Sequence, residues 1–218
     1  RVPARHTCVR EGNRMGNNVE RTLDRLYHGI GLPEGLDDLS NRVRSFAADE
    51  VAPLVPSMED KALDVAGFPA GLFRRMGKLG LYRVPHVAAD GGAGLGNPSL
   101  AAALVVEELA YFSSSIAVVY VCQTVFSGGI LKYASPELKM AYLPAMLSGE
   151  KVASGAITEP DAGSDVSPAS ITAVATPVRG GWSLSGRKRF IINAPVADLA
   201  CVLCTVEGEL TMLVVDLK

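Results

Sequence analysis

The 218 residues carry 21 basic and 23 acidic side chains, a net charge of −2 at pH 7, and 48% apolar residues. That balance leaves no basic surface for a nucleic acid and matches a soluble globular protein with a sizeable core in one or two domains. Four cysteines (Cys8, Cys122, Cys201, Cys204) are too few and too scattered for a secreted disulfide framework, so a reducing cytoplasm is expected.

Residues 1–33 read as a disordered leader. Its start is basic, with Arg1, Arg5, Arg10 and Arg14 against Glu11, and it lacks the apolar run of a secretory signal. A transit peptide, or upstream translation before Met15, stays open. Leu36, Leu39, Val43, Phe46 and Ala47 then recur at steps of three and four, predicting an amphipathic helix over 34–51 that Pro53 and Pro56 end. Short helix 69–78 has proline at its start and Gly80 after its end. Helix 98–111 turns Leu100, Leu104 and Val105 to a core and Glu107 and Glu108 partly outward, and helix 136–147 closes the series. Between these two, residues 111–131 hold no charge and are long enough to span a bilayer. The serines at 113–115, Gln123, Thr124, Ser127, Gly128 and Gly129 favour a helix over 113–133 buried on all sides, so no membrane is expected.

Past Gly149 the period changes to two. Residues 152–157, 170–176, 182–185, 189–192, 200–206 and 210–217 read as short strands between glycine-containing turns, an antiparallel meander forming most of a small barrel. The expected fold class is α+β: an N-terminal all-helical bundle over 34–150, followed by an incomplete antiparallel β-barrel domain over 151–218.

Where the period changes lies Ile157-Thr158-Glu159-Pro160-Asp161-Ala162-Gly163-Ser164-Asp165. Pro160 fixes one φ, and Gly163 lets the main chain approach a ligand or reach positive φ. Thr158 and Ser164 supply hydroxyls, and the amides around Gly163 can turn toward an anion. Other motifs carry less. Gly92-x-Gly94-x-Gly96 lacks the preceding strand and later acidic residue of a dinucleotide fold. Cys201 and Cys204 lie three apart on a strand, on opposite faces, and read as structural. Ser185-x-x-Lys188 falls in a hairpin turn at Gly186, not at a helix start. Glu159, Asp161 and Asp165 suit backbone capping in a turn better than acid–base or metal work.

Residues 156–165 closely resemble the first signature of the acyl-CoA dehydrogenase flavoproteins. Residues 90–96 look like that family's glycine loop, and Arg187-Lys-Arg-Phe-Ile-Ile-Asn-Ala194 is similar to its Gly-x-Lys-x-Trp-Ile-Thr/Ser-Asn stretch. The likeness implies FAD as cofactor. Ile157 and Thr158 would lie against the ring, Gly163 and Ser164 at the pyrophosphate, and Phe190, Ile191 and Ile192 over the dimethylbenzene side and N5. Ser164 would also lie beside the acyl-CoA substrate. It implies an electron acceptor such as an electron-transfer flavoprotein, and a homo-oligomer. Phe190 stands where family members often carry Trp, and Ile192 where they often carry a hydroxyl residue. The family's catalytic Glu belongs to a third, helical domain, and no residue here matches it. Two rivals remain: a related flavin oxidase or acyl-carrier-protein dehydrogenase, and a short chain that binds acyl-CoA or a partner without catalysis.

Overall fold

The computed structural model describes residues 32–59 and 67–218, so the leader expected over 1–33 lies almost wholly outside the described residues. Gly35–Lys218 form one compact unit. Helix α1 (Leu36–Phe46) buries Leu36, Leu39 and Val43. The prolines do not end its path. A π turn (Ala47–Val51), a 3-10 turn (Ala52–Leu54) and α2 (Val55–Glu59) carry the chain past both. Pro53 and Pro56 each fall in the first turn of their segment, where an N–H has no intrahelical acceptor to lose.

Helices α3 (Ala70–Lys78) and α4 (Pro98–Phe112) follow. Glu108 of α4, expected partly outward, is only 1% exposed, and Leu100, expected inward, faces solvent. The Glu108 carboxylate accepts from Ser40 Oγ at 2.8 Å and Arg44 Nη2 at 3.2 Å on α1. A helix apolar around most of its circumference gives no phase to read, and the partner on α1 decides it.

Ser113 is extended and separates α4 from α5 (Ser114–Val121), and its Oγ accepts the Ile116 N–H. A π turn (Cys122–Gly128) and α6 (Gly129–Leu131) continue the run. Ser114–Leu131 is long and apolar enough to cross a membrane by length and composition, and half of it is buried within the protein. The expected all-round burial is not found, since Val118, Val125 and Phe126 face outward. Helix α7 (Pro136–Ser148) starts on the Ser135 cap and ends at Gly149, φ 77°.

The sheet comprises β1 (Ala153–Ala156), β2 (Val174–Val178), β3 (Gly181–Ser185), β4 (Leu199–Val206) and β5 (Glu209–Asp216). It is open and mixed, not an antiparallel meander. β1 pairs in parallel with β4 from Ala153↔Leu199 to Ala156↔Val202, and β2 meets β4 in parallel at Val174↔Thr205. Only the hairpins β2–β3 and β4–β5 are antiparallel. They turn at Arg179-Gly180 and at Glu207-Gly208, the second with both residues left-handed. Gly186 is not a hairpin turn: a Cβ there would stand 2.7 Å from Ala173 Cα, so glycine allows that close crossing.

Central β4 is buried on both faces, Cys201 against Ser127 and Cys204 among Ile171, Ala173 and Ala175. The free edge of β1 is covered from the helices. Gln123 Oε1 accepts the Ala153 N–H at 2.8 Å, while its Nε2 donates to the carbonyls of Met146 and Lys151 at 3.0 and 2.9 Å. Asn193 Nδ2 donates to Ala153 O at 3.1 Å. Helices and sheet are thereby joined through a few satisfied amides.

Candidate functional site

β1 delivers the chain into the loop that starts at Ile157. Its geometry is set by Glu159, buried and surrounded by donors. One carboxylate oxygen accepts the Thr172 N–H at 2.7 Å and the Thr172 hydroxyl; the other accepts the Ala173 N–H at 2.9 Å and the Lys188 ammonium at 2.8 Å. Burial would raise this carboxyl, but Lys188 and those donors outweigh it and hold it at about 2. Glu159 and Ala162 also exchange backbone bonds, and the Ala162 methyl plugs the cluster of Ile171, Ala173 and Cys204. Asp165 accepts the Ser167 N–H at 2.9 Å. Capping is therefore what Glu159 and Asp165 do here.

With Ala162 anchored inside, Gly163 and Ser164 are lifted to the surface. Gly163 is outside the left-handed region, and a Cβ on it would meet nothing within 4 Å. That open space leaves room for an anion to approach the main chain.

The second loop, 186–193, is not the strand expected over 189–192. Phe190 and Asn193 are left-handed, φ 58° and 66°, and strand pairing is replaced by bonds to the first loop. Arg189 N–H donates to Thr158 O at 2.8 Å, and Lys188 Nζ donates to Ile157 O at 2.9 Å. Ile191 packs on Ala156, Ala200 and Val202. Phe190 is 77% exposed, with the Arg189 guanidinium 4.4 Å from its ring centroid. A large apolar side chain held exposed in a strained conformation marks a surface made to contact something else.

Ile192 and Asn193 form one wall of a groove of about 680 Å³. Phe68 and Pro69, the α4–α5 junction from Phe112 to Ile116, Pro195 and Val196 are among its other lining residues. The structure thus joins Ile157 and Thr158 to the 188–191 loop and puts Ile192 on a groove. Among the described residues no hydrogen bond ties Gly163 or Ser164 to Phe190–Ile192.

In the sequence Lys188 falls in a Ser-x-x-Lys pattern and in the family-like stretch 187–194, with no role of its own, and the structure gives it one. Its partner Glu159 lies 29 residues earlier, a pairing no local pattern reveals. The sequence signal is the lysine of the family-like Gly-x-Lys-x-Trp-Ile stretch, flanked here by Arg187 and Arg189. Gly92 is a packing residue, because a Cβ there would lie 2.0 Å from His86 O.

The groove is lined by apolar side chains and hydroxyls, and the loops beside it offer backbone donors and an exposed aromatic face. These features fit a flat, partly anionic coenzyme. Residues 33–150 match the family model of the acyl-CoA dehydrogenase N-terminal domain, and residues 154–218 that of the middle domain. The chain belongs to the acyl-CoA dehydrogenase family.

It is 35% identical over 191 residues to the human mitochondrial short-chain specific acyl-CoA dehydrogenase, covering 87% of this chain and 44% of that protein. It is 36% identical over 133 residues to the L-prolyl-[peptidyl-carrier protein] dehydrogenase of a Serratia strain, covering 59% and 33%. A glutaryl-CoA dehydrogenase from Mycobacterium smegmatis solved in complex with FADH2 superposes with a TM-score of 0.75 at 28% identity, covering 89% of this chain and 47% of that one. The chain therefore spans less than half the length of these relatives.

Proposed function

We propose that this chain is the helical and sheet portion of a FAD-dependent dehydrogenase that introduces an α,β double bond into an acyl thioester. Electrons then pass to an acceptor such as an electron-transfer flavoprotein. Family membership supports the reaction class. The single structural observation that carries the assignment to this site is the pair of tied loops, 157–164 and 188–192, the second of which ends on a groove at Ile192.

FAD, when bound, supplies the hydride acceptor. Ile157 and Thr158 hold the ring edge, Phe190, Ile191 and Ile192 wall the ring, and the Gly163 and Ser164 amides receive the pyrophosphate. Ser164 also touches the thioester. The groove between Phe68, Phe112, Ile116 and Ile192 takes the acyl chain and excludes water from it. Among the described residues that line it none is titratable, and the base that removes the α-proton is assigned, by the family likeness, to the third, helical domain. A homo-oligomer in the cytoplasm completes the proposal.

A second reading, a carrier-protein-bound acyl group in place of acyl-CoA, is favoured by the Serratia relative and its named substrate. The test is the holoprotein expressed from its complete reading frame. It should be yellow with bound flavin, and the band should bleach anaerobically with one class of thioester, CoA-linked or carrier-linked. A folded, colourless protein that takes up no FAD overturns the reading.

A further inference from the structure

We propose that Lys188 is a positioning residue that tunes the coenzyme through one peptide group, Ile157–Thr158. The inference rests on the flavin reading above and goes beyond it by assigning a role to a residue that touches neither ring nor substrate. The Lys188 side chain is 11% exposed and its partner Glu159 is 2% exposed. Its ammonium is shared between Glu159 Oε1 at 2.8 Å and Ile157 O at 2.9 Å. A trans peptide is planar, with C=O and N–H on opposite edges. Fixing the Ile157 carbonyl toward the ammonium therefore aims the Thr158 N–H away from the ion pair. The next carbonyl, Thr158 O, is fixed in turn by the Arg189 N–H at 2.8 Å. Thr158 is held from both sides, while its own N–H has no acceptor among the described residues.

An ionised donor on a carbonyl polarises the whole amide, so the N–H at its far edge becomes a stronger donor. The pyrimidine edge of a flavin gains negative charge on reduction, and a fixed, strengthened donor there favours the reduced form over the oxidised one. The net charge of the Lys188–Glu159 pair is zero, so its distant field largely cancels. What reaches the coenzyme is the orientation and polarisation of this one amide. A hydrophobic plug of the same shape could fill the space but could not do that.

The test is Lys188→Met combined with Glu159→Gln, which leaves no unpaired buried charge, alongside Lys188→Met alone and Lys188→Arg, all in the holoprotein. In the double variant the selectively labelled Thr158 amide nitrogen should shift upfield. The preference for reduced over oxidised coenzyme should fall about tenfold, a midpoint about 30 mV more negative for a two-electron couple. Lys188→Arg should restore both. An unmoved Thr158 amide overturns the polarised peptide. A moved amide with an unchanged midpoint in a fully FAD-loaded variant overturns its contact with the coenzyme. A wild-type protein without FAD overturns the flavin reading itself, and the amide shift still decides the peptide relay.

Discussion

Glu159 shows how much one side chain can organise. Four donors converge on its carboxylate, from Thr172, Ala173 and Lys188, and three of them lie on the return limb of the loop. A carboxylate so surrounded is cheaper to keep ionised than to neutralise, which is why its acidity is held at about 2 against an ordinary 4.5. Because the folded value is the lower one, the stability contribution is whole above the ordinary carboxylate range. It drains away as pH falls from about 4.5 toward 2. Wild-type unfolding free energy from urea titrations should thus fall more steeply between pH 5 and pH 3 than that of the Glu159→Gln, Lys188→Met pair. At pH 7 Glu159→Gln alone leaves the Lys188 ammonium without its counter-charge and should cost about 3–5 kcal/mol. Equal acid sensitivity of wild type and pair would show that the carboxylate is not held by these donors.

Among the elements, the crossing of α3 over the end of α7 has little room. A Cβ on Gly77 would stand 2.1 Å from Ser148 O and 2.8 Å from Gly149 N, both backbone atoms that cannot swing aside. Gly77→Ala should gain about 1 kcal/mol of helix propensity and lose more to the forced separation. A net loss of about 2 kcal/mol in urea midpoint analysis is expected, where an exposed helical glycine would show a gain. Helices α1 and α3 were legible because their apolar residues keep a 3.6 period, and α4 and α7 because their ends carry Pro98, Ser135, Pro136 and Gly149. Two things were not. Strand partners are chosen across the loop 157–173, so that β1 skips β2 and β3 to join β4, a decision no local pattern contains. Residues 189–192 have strand composition, yet Lys188 and Arg189 spend their donors on the first loop and Phe190 turns left-handed. For the site, the motif positions were readable, but the ion pair that holds Ile157 and Thr158 in place was not.

At the scale of the whole unit, the question is whether helices and sheet melt together. β4 offers a probe on each face: Cys201 lies 3.9 Å from Ser127 O on the helical side, and Cys204 sits in the opposite cluster. Burial pushes the Cys201 thiol up to about 12 and raises Cys204 as well, so neither forms a reactive thiolate without an opening. Single-cysteine variants labelled with a thiol reagent should therefore report the free energy of opening at each face. The amides of Gln123 and Asn193 fasten the helices and the second loop to β1, so the helices cannot lift off β1 without breaking them. We expect Cys201 and Cys204 to show the same opening free energy, equal to that of global unfolding. Gln123→Leu strands the Ala153 N–H and frees two carbonyls, a loss of about 3 kcal/mol. If the unit is one cooperative body, that loss appears equally at both thiols. Loss of protection at Cys201 with Cys204 unchanged would mean that the helices lift off a sheet able to stand without them.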